Sequence, residues 1–190
     1  MSSPSLLRKI IAVWIGGYAF VSPWVQAETL QNPEALVPQA HIRVYFTPGD
    51  SAEAAIVEQL LGAKDSILVQ AYSFTNPAIA AALVSAQQRG VRVVVLLDKS
   101  QRSQRSSAAD FTSQSGVETF IDDRHAIAHN KIMIIDGQVV ITGSYNFTRA
   151  AEKSNAENMV IIESPTIATK YLQNWQKHRN HSLSYRPRSE

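Results

Sequence analysis

Apolar residues along the chain fall into short runs with two different spacings. Residues 42–46 (IRVYF) have the composition of a strand, and Thr47-Pro48-Gly49-Asp50 turns the chain toward a helix capped by Asp50 or Ser51. On that helix Ile56, Val57, Leu60 and Leu61 make one apolar stripe. Residues 66–72 (SILVQAY) have the β-branched and apolar content of a buried strand, and Asn76-Pro77 follows as an N-cap with proline at the first helical position. An alanine-rich helix then ends at Arg89-Gly90. Residues 91–97 (VRVVVLL) are nearly continuous in apolar side chains, as strands covered on both faces are. This β-α-β order predicts a parallel pair joined by a right-handed crossover.

Residues 99–107 (KSQRSQRSS) read as a solvated loop or helix face, with a phosphate-facing rim as the lesser reading. A short helix over 108–115 stops at Gly116, and a strand over 117–121 comes next. Residues 131–135 (KIMII) and 139–142 (VVIT) flank Asp136-Gly137-Gln138, an Asp-Gly hairpin signal. One more strand spans 159–162, and Ser164-Pro165 caps a helix to about Trp175 with Ile167, Tyr171 and Trp175 on one core-facing stripe. The expected fold is one α/β domain with a mixed, largely parallel β-sheet sandwiched between helices.

The N-terminus carries a different pattern. Arg8-Lys9, an apolar run of 12 residues over 10–21 and the small-residue end Val25-Gln26-Ala27 match a secretory signal peptide over 1–27, cut after Ala27. As a helix the run is about 18 Å long, short of the ~30 Å hydrocarbon core. The alternative is that the segment stays on as an anchor. The remaining divisions are a leader over 28–40, a catalytic domain over 41–178 and a fraying polar tail over 179–190. A periplasmic or secreted protein is expected, with no stable membrane association after cleavage.

Charge and composition narrow the chemistry. The 18 Lys and Arg against 16 Asp and Glu give a formal +2. Residues 1–27 hold two of those cations and no acid, so the remainder is neutral overall, which excludes binding to nucleic acid by bulk charge alone. Cations are locally concentrated, five with one acid in both 89–105 and 170–190. With no cysteine, disulfides, thiolate metal sites and thiol catalysis are excluded.

Candidate chemistry concentrates between His125 and Asn158. His129-x-Lys131 opens a strand, so alternation sends an imidazole and an ammonium to one face, an arrangement suited to a phosphate. The hairpin returns Gly143, Ser144 and Asn146 toward them, and Glu157 begins the next strand, where it could accept a hydrogen bond from the second nitrogen of His129. A nucleophile or base, a fixed cation and neutral donors are the parts of phosphoryl transfer. No carboxylate cluster suits Mg²⁺ or Ca²⁺, no cofactor is expected, and a His125–His129 metal site is disfavoured because the Asp122-Asp123-Arg124 context reads as a loop. Tyr145 and Phe147 suit burial better than base stacking, and Gln70, Tyr72, Ser73 and Phe74 are left between core, dimer and substrate contact.

The pattern His129-x-Lys131-(x4)-Asp136-(x6)-Gly143-Ser144, with Asn146 and Glu157-Asn158, resembles the signature of the phospholipase D superfamily and is most similar to its small, EDTA-resistant, single-motif bacterial endonucleases. The resemblance implies that His129 is a nucleophile forming a phosphohistidine and that Lys131, Ser144 and Asn146 bind phosphate oxygens. It further implies that Glu157 orients His129. Asp136 belongs to the motif but sits where it would stabilise the turn. Because this chain has one motif where a full site uses two, the resemblance implies a homodimer with His129 of each subunit at the two-fold axis. The implied substrate is DNA, with RNA as a further one. A phospholipid phosphodiesterase, or a non-catalytic component of a DNA-transfer or secretion apparatus, is the alternative.

Overall fold

A computed structural model describes residues 40–188. The expected signal peptide, and the leader up to residue 39, lie outside them. The elements are β1 (His41–Thr47), α1 (Ala52–Gly62), β2 (Ser66–Ala71), α2 (Pro77–Gln88), β3 (Arg92–Asp98), a 3-10 turn (Lys99–Arg102) and α3 (Ala109–Gln114). They continue with β4 (Glu118–Asp122), β5 (Lys131–Ile135), β6 (Val139–Gly143), α4 (Arg149–Lys153), β7 (Glu157–Glu163), α5 (Pro165–His181) and β8 (Leu183–Ser184).

All eight strands form one sheet in the order β1-β7-β6-β5-β2-β3-β4-β8. The sheet is mixed. Its parallel pairings are β2–β3 and β3–β4, the product of the β-α-β crossovers, whereas the other five pairings are antiparallel. The expectation of a largely parallel sheet therefore holds only for the three strands β2, β3 and β4; hairpin and edge strands make the rest antiparallel.

Alternation along the central strands explains their continuous apolar runs. Ile67, Val69, Val93, Val95 and Met133 pack under Ile56 and Leu60 of α1 and Ile79 and Leu83 of α2. Their neighbours Leu68, Val94, Leu96, Ile132 and Ile134 face the other way, onto Ala168 and Trp175 of α5. Both faces are thus covered by helices, and the strands have no polar side.

Two local expectations are corrected. Ser51 is the α1 cap residue but makes no side-chain cap bond, and the Asp50 carboxylate turns back to accept from the Phe46 N–H at 2.7 Å. The α1 stripe is also narrower than expected, since Leu61 remains 54% exposed and small Ala52 and Ala55 complete the buried face. At α2, by contrast, Asn76 accepts from the N–H groups of Ala78 and Ile79 ahead of Pro77.

The C-terminal segment does not fray. α5 runs to His181, β8 pairs with β4, Tyr185 is buried, and Arg188 donates to Asp110. The expected boundary at 178 falls inside a helix. Its polar sequence hid this because the anchoring there is by side-chain hydrogen bonds rather than an apolar stripe.

Asp136 and Gly137 adopt φ of 52° and 63°, the left-handed backbone of the tight turn Asp136-Gly137-Gln138 between paired Ile135 and Val139. The Asp136 carboxylate accepts from the N–H groups of Lys64, Asp65 and Ser66 at 2.8–3.0 Å, joining the hairpin to the start of β2. Burial opposes the charged form, but these three donors outweigh it and hold the carboxyl below its ordinary value. A depressed carboxylate contributes stability above its unfolded pKa, and that contribution is lost as pH falls through the folded value. Asp136→Asn is expected to cost about 2 kcal/mol at neutral pH in urea unfolding, with the gap from wild type closing below about pH 4.

Candidate active site

β5 is central to the sheet, between β2 and β6, and its first residue is Lys131. His129 lies just before it, exposed, where the chain enters the strand. Antiparallel pairing sets Ala71 beside Lys131, so Tyr72 projects from the end of β2 at the same point. The rings of Tyr72 and His129 are 4.6 Å apart, and Lys131 Nζ is 5.0 Å from the Tyr72 ring centre. Tyr72 thus holds the imidazole and the ammonium together. Lys131 is 7% exposed and donates from Nζ to the His129 carbonyl at 2.7 Å. Burial pulls its pKa below the ordinary lysine value, and the Glu157 charge opposes that pull.

Two openings lie near this group. On one side a cavity of about 340 Å³ is lined by His129, Lys131, Gly143, Tyr171 and Asn174 among others. On the other, a cleft of about 660 Å³ contains Tyr72, Asn146 and Arg149, and seven of its ten lining residues are Ser, Thr, Asn, Gln or Arg. Asn146 Oδ1 is buried there without a hydrogen-bond partner among the described residues.

Gly143 is required by the close approach of β6 and β7. At φ +144° an added Cβ would stand 2.3 Å from the Asn158 carbonyl oxygen. The chain then places the Ser144 hydroxyl against β7, where it donates to Glu157 Oε2 at 2.6 Å and accepts from the Asn158 N–H at 3.0 Å. Asn155 donates to the other Glu157 oxygen at 3.1 Å.

The motif residues therefore divide into groups. His129, Lys131 and Gly143 share one cavity, Asn146 faces the adjoining cleft, and Ser144 and Glu157 form a network beside them. The expected Glu157–His129 hydrogen bond is absent among the described residues. Glu157 sits on β7 and His129 precedes β5, and the intervening strand β6 separates the two strands by about 9–10 Å. Asp136 stands at the opposite end of β5, five residues or about 17 Å from Lys131, and acts on the turn.

Tyr145 and Phe147 are each 1% exposed, core residues that stack on no ligand. Gln70 is buried between Leu96 and Ile132 and takes no part in the site. Tyr171 is not legible as a site residue because on α5 it shares the spacing of an ordinary core stripe, and Asn174 because it is one of several exposed polar positions of that helix. Tyr72 had one signal: it follows the end of a central strand.

Residues 56–179 match the family model described as "Cardiolipin synthase, PLD-like domain". The chain is 37% identical over 183 residues to a phospholipase D of Rickettsia typhi, covering 92% of this chain and 90% of that one. It is 34% identical over 128 residues to a mitochondrial cardiolipin hydrolase of Xenopus laevis, covering 67% of this chain and 61% of that one. Among solved structures it resembles Nuc, a phospholipase D family member from Salmonella typhimurium, with TM-score 0.75, 38% identity and coverage of 78% of this chain and 99% of Nuc. The chain belongs to the phospholipase D superfamily. It is accordingly an enzyme, a phosphodiesterase of that superfamily. The sheet places the motif hairpin β5–β6 against β2, which is what delivers Tyr72 to the His129–Lys131 pair.

Proposed function

We propose that this protein is a metal-independent endonuclease that cleaves DNA, and RNA as a further substrate, through a phosphohistidine on His129. The observation that carries the reading is the exposed His129 ring, free of hydrogen-bond partners among the described residues, sharing a cavity with the buried Lys131 cation, with Tyr72 between that pair and a larger cleft. The His129 nitrogen attacks phosphorus and the P–O bond to the leaving oxygen breaks, while Lys131 neutralises the non-bridging oxygens. A second histidine gives the leaving oxygen its proton, then takes one from the water that hydrolyses the phosphohistidine.

That second histidine is His129 of a partner subunit in a two-fold homodimer. Supporting this are the single motif, the surface position of His129 and the 58% exposure of apolar Ile127 two residues away. Asn146 and Ser144 supply neutral donors, Ser144 once its hydroxyl turns from Glu157 to the anion. The pattern of residues 1–27 supports an activity outside the cytoplasm.

The names of the relatives favour one other reading, a phospholipid phosphodiesterase using the same residues. Against it, seven of the ten residues lining the cleft at Tyr72 are Ser, Thr, Asn, Gln or Arg, Arg149 among them, a lining that suits an extended phosphate backbone. Plasmid DNA and phosphatidylcholine–cardiolipin vesicles, each incubated with the enzyme in excess EDTA, separate the two. Nicking and linearisation of the plasmid with intact lipid is the expected result; lipid hydrolysis with intact plasmid would overturn the assignment.

A further inference from the structure

At the far end of β4 a second cluster of chemistry-bearing side chains stands outside the cavity of His129 and Lys131. Asp122 ends β4 with its side chain fully buried, His125 follows in the loop toward β5, and His178 and His181 lie one turn apart at the end of α5. His125 Nδ1 is 3.0 Å and His178 Nδ1 2.7 Å from Asp122 Oδ2, and His181 Nε2 is 3.1 Å from Oδ1. Three nitrogens and one carboxylate oxygen lie within 4.8 Å of one another. Sequence spacing sets His125 only against His129 and disfavours metal there; the fold instead gives His125 three neighbours, Asp122 before it and His178 and His181 from the end of α5.

We propose that Asp122, His125, His178 and His181 form a structural zinc site. Imidazole nitrogens with one carboxylate are ligands that suit Zn²⁺ in a cysteine-free chain, and four protein ligands close its tetrahedral shell without an open position for catalysis. With Zn–N and Zn–O near 2.0–2.1 Å, neighbouring ligand atoms in a tetrahedron stand about 3.3 Å apart. The Asp–His separations are already close to that. The widest pair must approach by at most about 1.5 Å, a shift that rotations of the imidazole side chains can supply. On binding, the three nitrogens that face the carboxylate present lone pairs to the ion, and each ring proton resides on the opposite nitrogen. No oxidation or bond cleavage is involved.

The ion ties the end of α5 to the loop between β4 and β5, whose last residues are His129 and Asn130. Lys99 Nζ reinforces the same loop by donating to the His125 carbonyl, and the Ala128 N–H donates to Asp98. Zinc at this place fixes the approach to the nucleophile while taking no part in the reaction. Its removal by EDTA lowers stability and leaves the catalytic groups in place.

The test uses the purified protein without a histidine tag, stripped of metal and titrated with Zn²⁺ in competition with a chromogenic chelator. One equivalent per chain is expected, with a rise in melting temperature of about 5–10 °C at a hundredfold excess over Kd. Co²⁺ in the same site should give the visible absorption of a tetrahedral ion. His125→Gln, on the exposed side of the cluster, and His178→Gln should each weaken Zn²⁺ binding by at least about tenfold, whereas His129→Asn should not change it. Absence of stoichiometric Zn²⁺ uptake by the wild-type protein would overturn the proposal and leave Asp122 as a hydrogen-bonding hub alone. Binding that survives both glutamine substitutions would overturn it equally.

Discussion

Replacing His129 by asparagine is expected to lower phosphodiester cleavage by at least about 10⁴-fold while leaving the melting temperature within about 1 °C of wild type. Asparagine keeps a polar side chain of similar reach but has no nitrogen able to attack phosphorus. The His129 ring is exposed and makes no side-chain hydrogen bond among the described residues, so little of the fold rests on it. Its single close partner is the Tyr72 ring. Rate and stability should therefore separate cleanly. Equal losses in both would show that the histidine is a packing residue, and an unchanged rate would reject the proposed nucleophile.

Lys131→Met should show the second-largest effect, a fall in kcat of about 10²–10³-fold with stability unchanged or raised. The lysine is buried, its pKa is drawn down by that burial, and its ammonium donates to the carbonyl of the residue two positions before it. A buried charge with one neutral acceptor is held at a cost, and methionine fills similar volume without the charge. Lys131→Arg should not restore the rate, because the longer, planar guanidinium cannot hold its charge at the point where the compact ammonium donates to the His129 carbonyl. Parallel measurement of single-turnover rate and urea unfolding checks both halves. A methionine variant that unfolds easily and still cleaves would assign Lys131 to structure.

The pattern of apolar residues revealed the β-α-β core because its strands are covered on both faces and its helices carry strong boundary signals, Asn76-Pro77 at one end and Gly90 at the other. The Asp136-Gly137 turn was readable for the same reason: few residues adopt positive φ, and the sequence supplies two in a row. Sequence spacing also placed His129, Lys131 and Gly143 at one end of a hairpin. It could not rank distances across strands. Glu157 is one strand too far from His129, a fact set by the strand order β7-β6-β5 rather than by any local signal. The end of the chain was misread because its order comes from long-range polar contacts, Arg188 with Asp110 and His178 and His181 with Asp122. Such contacts leave no periodicity to find.

The central claim is that one catalytic site needs the imidazoles of two subunits. Mixed dimers of wild-type and His129→Asn subunits, exchanged to equilibrium at equal concentration, test it directly. If both histidines act at one phosphate, only dimers with two wild-type subunits cleave, and activity falls with the square of the wild-type fraction to about one quarter of the unmixed value at equal parts. Activity of about one half, proportional to the wild-type subunit fraction, would mean that each subunit works alone and would contradict the account.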